Sequence, residues 1–159
     1  MSCLHLHSSV GLPPTERFVV SERLKKGNKI GRFPIRFVGE GIIEHFYGVI
    51  EDACASTYSL KSWDLWSGHC DADIIAALGG TAFAQTPLAR MIQSIELGRD
   101  GPGLFDGHGN VYYLKSPKTG ELLCLGWNGR PDDTLDLNAG LIYGRTSGWS
   151  EVHRFFGGK

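Results

Sequence analysis

The residues best equipped for chemistry are Ser67-Gly68-His69-Cys70-Asp71, where a thiol stands beside an imidazole. The apolar spacing that follows predicts a helix opening at Asp71 and closing at Gly79. Cys70 then sits at a helix start, where unpaired backbone amides favour a thiolate. A nucleophilic thiol needs a base, and the base needs an orienting group. His108, in Gly107-His108-Gly109-Asn110 ahead of an apolar run at Val111, is the candidate base, with Asn128 or Glu121 as the candidate orienter. Asp71 follows the thiol directly and opposes its ionisation. A cysteine-dependent hydrolase or transferase built on Cys70, His108 and Asn128 is therefore the alternative reading rather than the first.

In its order of cysteine, then histidine, then a polar orienter, this set resembles the papain-like and peptidoglycan-cleaving cysteine hydrolases. It departs from them in lacking their glycine and serine setting around the nucleophile. Cys3, His5 and His7 alternate and would project to one side of an extended segment as soft and nitrogen donors, but no fourth ligand is evident. Asp100 with Asp106 and Asn110, and Asp132-Asp133 with Asp136 and Asn138, lack the spacing and closing glutamate of a calcium loop. None of the glycine pairs leads from a strand into a helix with the lysine and hydroxyl of a phosphate loop. No metal and no cofactor is expected.

Two surfaces could serve recognition. Trp63, Trp66, Trp127, Trp149 and Tyr143 all stand near turn residues, as rigid aromatics of a protein contact do. Residues 17–36 carry Arg17, Arg23, Lys25, Lys26, Lys29, Arg32 and Arg36 against the single acid Glu22, although the whole chain has a net charge of −1. The first reading is a small non-enzymatic protein that binds another macromolecule, of the inhibitor (immunity or anti-defence) type, with a protein as partner. Nucleic-acid contact through the basic strip ranks third, because the strip lacks interleaved aromatics.

The elements that must position these residues are those of one α+β domain over 15–159 behind an N-terminal tail, 1–14, ending at Pro13-Pro14. Phe18, Val20, Glu22 and Leu24 alternate like a strand turning through Lys26-Gly27-Asn28 into Ile30 to Val38. A helix over the same residues is the competing reading. Apolar residues at helical spacing predict a helix over 40–54, a strand follows over 58–65, and Thr86, Pro87 and Gly98 frame a helix over 87–97. After Gly98 the period becomes two, and short runs at 104–106, 111–115, 121–127 and 139–143 predict an antiparallel β-meander packed against two or three helices from the middle of the chain. The four cysteines, Cys3, Cys54, Cys70 and Cys124, are too scattered for a metal knuckle or redox pair. They read as free thiols in a cytoplasmic protein that no membrane-spanning run anchors.

Overall fold

The computed structural model describes residues 2–142 and 148–158. Its first element is a strand, β1 (Leu4–Leu12), where a tail is expected. Leu4 and Leu12 are both buried, although eight residues apart they would ordinarily share one face and here enter opposite cores. A bulge between Leu6 and Ser8 reverses the side-chain alternation, so each end buries its leucine on a different side of the sheet.

Next come β2 (Phe18–Val19), the single helical turn α1 (Val20–Arg23), and the strands β3 (Lys29–Ile30) and β4 (Phe33–Val38). The expected hairpin between 18–24 and 30–38 is not formed. A continuous strand would put Glu22 on the same face as Val20 and Leu24, which are fully buried. One helical turn buries those two and leaves Glu22 outside. The expected helix over 40–54 is α2 (Glu40–Phe46) alone. Gly48, at φ +82°, turns the chain into β5 (Ile50–Glu51), the partner of β2.

Then follow β6 (Tyr58–Leu65), α3 (Asp71–Ala77), α4 (Thr81–Ala84) and α5 (Leu88–Glu96), with β7 (Gly109–Lys115), β8 (Leu122–Gly129), β9 (Leu135–Leu141) and β10 (Arg154–Phe156) completing the chain. The helices predicted at 71–79 and 87–97 are α3 and α5, and β7-β8-β9 is the antiparallel meander. The run at 104–106 is a loop instead of a strand. The Asn110 side chain accepts the Leu104 N–H at 2.7 Å and donates to its carbonyl at 2.9 Å, satisfying that backbone without a neighbouring strand.

The eight-stranded sheet has the order β1-β6-β10-β7-β8-β9-β4-β3. The fold is α+β, but the sheet is mixed: β10 lies parallel to β7, and β4 parallel to β9. α5 and α2 cover one face through Leu88, Met91, Ile92, Ile95, Ile42 and Phe46, against Tyr112, Leu125 and Leu137. α3 and α4 cover part of the other through Ile74, Leu78 and Ala84, against Val111, Tyr113 and Phe155.

A candidate groove on the open face of the sheet

Cys70 lies at the N-terminus of α3, where the sequence places it, and is exposed. Its sulfur donates to Asp73 Oδ2 at 3.1 Å, and the same oxygen stands 3.6 Å from His69 Nδ1. Ser67 Oγ bonds the other nitrogen of that ring at 3.0 Å. The Cys70 thiol, first among its contacts, holds the Asp73 carboxyl below the usual carboxylate range. His108 sits in the turn before β7, its Nδ1 3.1 Å from Asp106 Oδ1. Burial pushes Asp106 up, and the His108 amide and ring outweigh it, leaving its pKa lowered. Among the described residues no hydrogen bond or ion pair joins Cys70 to His108. Each faces a carboxylate of its own, and Glu121 is exposed in the turn between β7 and β8.

The aromatics separate by depth. Trp127 is fully buried against Phe105, with its indole N–H 3.4 Å from the Tyr112 hydroxyl, so it belongs to the core and not to a recognition surface. Trp63 is half-buried and donates to the Gly157 carbonyl at 2.7 Å. Trp149 is half-buried and donates to Asp71 Oδ1 at 2.6 Å, an oxygen that also accepts the Tyr113 hydroxyl at 2.6 Å. Trp66 alone of the four stands out, 64% exposed beside the His5 ring. Tyr143 lies outside the described residues.

The basic strip is partly neutralised from elsewhere in the chain. Arg23 pairs with Glu96 at 2.6 Å, Arg32 approaches Asp133 at 3.9 Å, and Arg36 donates to Asp136 at 2.8 Å. Arg17, Lys25, Lys26 and Lys29 are exposed. Cys3 and the two histidines part company at the start of β1. The Cys3 sulfur faces the Asp73 carbonyl at 3.9 Å, while His7 and His5 approach Asp64 at 3.2 and 3.7 Å. Among the described residues no three histidine, cysteine or acidic side chains are grouped to hold a metal.

One place gathers several of these segments. Register sets three rows across β7, β8 and β9 on the face that α3 and α4 leave partly open: Gly109, Asn128, Asp136; then Val111, Gly126, Asn138; then Tyr113, Cys124, Gly140. Gly126 and Gly140 give the floor low relief, and a Cβ on Gly140 would meet nothing within 4 Å. Trp149 and His153 wall the resulting groove of about 460 Å³, their rings 4.9 Å apart. An isolated backbone bridge ties Trp149 to His69, and a Cβ on Gly109 would come within 2.8 Å of the His153 ring. The carboxamides of Asn128 and Asn138 lie diagonally across Gly126, each able to donate and accept. The arrangement can hold a neutral or weakly polar group by hydrogen bonds. At its wall the Ser150 hydroxyl lies 3.1 Å from His153 Nδ1.

The groove is not legible in the sequence because its floor is defined by strand register, which alone brings Asn128 and Asn138 around Gly126. Cys54 likewise carries no local signal: it is exposed, its sulfur stands 4.0 Å from the Ser56 carbonyl oxygen and 3.9 Å from the Ser56 hydroxyl, and the contacts to Ser56, with a further contribution from Arg90, leave its pKa lowered. No family model matches the chain, and neither curated proteins nor solved structures give a match to it. No helix among the described residues is long and apolar enough to cross a membrane.

Proposed function

We propose that the chain is a non-enzymatic protein-binding module whose contact surface is the open face of β8 and β9, with the Trp149–His153 groove at its centre. The half-covered sheet carries this reading. Among the described residues, α3 and α4 stop short of a face that holds two carboxamides, two partly exposed glycines and an aromatic wall, with Phe37 nearly half exposed on the neighbouring β4. A partner protein that inserts a polar side chain between Asn128 and Asn138 finds donors and acceptors already fixed by the sheet, at little entropic cost. An inhibitor acting by surface contact would need no more. Free thiols suit a reducing compartment, which supports a cytoplasmic setting.

The competing cysteine-hydrolase reading has less support, since the Cys70 sulfur donates to Asp73 Oδ2 and among the described residues no hydrogen bond or ion pair joins it to His108. The test is a photo-crosslinking residue at Asn138 in the native host, with the same residue at Lys118 as control. A discrete crosslinked partner at Asn138 only, lost on Gly140→Arg and kept in Cys70→Ser, is expected. Equal products from both positions, or loss of the product in Cys70→Ser alone, would overturn the binding reading.

A further inference from the structure

The two edges of the sheet are unequal: β3 has 2 residues and β1 has 9. Exposed strand edges are ordinarily guarded by charge, proline, brevity or cover, because their unpaired N–H and C=O groups template further pairing. β1 has little of this. Residues 1–15 contain no Asp, Glu, Lys or Arg, and the strand's only irregularity is the bulge between Leu6 and Ser8. Beside its first half lies an apolar strip made of Leu6, 50% exposed, and Trp66, 64% exposed, with the His5 ring against the indole at 4.6 Å.

We infer that β1 pairs antiparallel with β1 of a second copy of this chain, joining two sheets across a two-fold axis. An identical strand suits this edge, since its only titratable side chains, His5 and His7, lean on Asp64 of their own chain and self-pairing sets no Lys, Arg, Asp or Glu of β1 opposite another. A charged partner strand would gain no complementary group from β1. Pairing also covers Leu6 and Trp66. Because the opposite edge is two residues long, growth stops at the dimer and does not continue into a filament. β6 and β10 stand between β1 and β7, the nearest of the groove strands, so the dimer is independent of the proposed binding face and would present it twice.

The contact is a narrow strip at the small end of specific interfaces, so association should depend on concentration. Sedimentation velocity from about 5 to about 500 µM should show the mass of one chain rising to that of two. The double variant Leu6→Lys, Ser9→Lys should stay at one chain throughout while keeping the wild-type circular dichroism. As a check that does not depend on that variant folding, hydrogen exchange of the wild-type amides in 8–12 should slow as concentration rises. A single-chain mass at the top of the range overturns the inference. So does a folded double variant that dimerises like wild type, or exchange in 8–12 that is indifferent to concentration.

Discussion

At the Cys54 sulfur the Ser56 backbone and then the Ser56 hydroxyl favour the thiolate, burial opposes it less strongly, and the Arg90 guanidinium adds a smaller favourable share. Burial pushes the Cys3 thiol the other way, and Cys124 is buried. A lowered pKa means that the reactive thiolate is already present at a pH where an ordinary cysteine is protonated. Iodoacetamide at neutral pH should therefore label Cys54 ahead of Cys3 and Cys124, with a rate that climbs at lower pH than for an unperturbed thiol. Peptide mapping against time checks the order. A helix start marks Cys70 from local sequence alone, and Cys54 has no such mark. Arg90 lies 36 residues from Cys54, and nothing in the sequence announces that a fully buried arginine bonds the Ser56 carbonyl at 2.9 Å and the Pro13 carbonyl at 2.6 Å. Asp71 is a second buried polar residue with a structural task, since one of its oxygens accepts both the Tyr113 hydroxyl and the Trp149 indole. Asp71→Ala removes the acceptor of both and should cost about 3 kcal/mol. Asp71→Asn keeps a carbonyl acceptor and should cost about 1 kcal/mol, each read from urea midpoints.

Elements whose signals are local were legible, and those settled by distant partners were not. α5 begins after Pro87 and ends before Gly98, at φ +68°, and its buried Leu88, Met91, Ile92 and Ile95 recur at helical spacing. The meander declares itself by alternation and turns. β1, β5 and β10 are strands because of what pairs with them, which no short window contains. α2 shows the same limit: its apolar period runs past Phe46, yet the backbone leaves the helix and its face packs against β9. That contact depends on Gly41, where a Cβ would come within 2.0 Å of the Ala139 carbonyl oxygen. Gly41→Ala must push α2 off the strand, and a loss of about 2–3 kcal/mol is expected. Gly140→Ala, one strand position from the same carbonyl but on the open face, should change stability by less than about 0.5 kcal/mol. Paired thermal melts separate the two, and the neutral outcome at Gly140 is what makes that position usable as a probe of the groove.

Across the whole molecule, the order of pairing is decided last. β10 is only three residues, but it lies between β6 and β7 and pairs with both, so it joins the half-sheet built from β1 and β6 to the half built from β7, β8, β9 and β4. Phe155 and Phe156 point to opposite faces and are fully buried, one in each core. The Tyr112 ring stacks on Phe156 at 4.5 Å, and Arg154 fixes Asp64 of β6 at 2.8 Å. A chain ending at Val152 would therefore expose two strand edges at the centre of the sheet and empty two aromatic sites, each of which alone costs about 3–5 kcal/mol when truncated to alanine. That sum rivals the whole stability of an ordinary domain, about 5–15 kcal/mol. Truncation after Val152 should accordingly abolish the fold instead of trimming it. The expected readout is loss of dispersed amide resonances throughout β1, β6, β7 and β8, whereas a spectrum that keeps the dispersion of β7-β8-β9 would mean that the meander folds without the strand that binds it to β6.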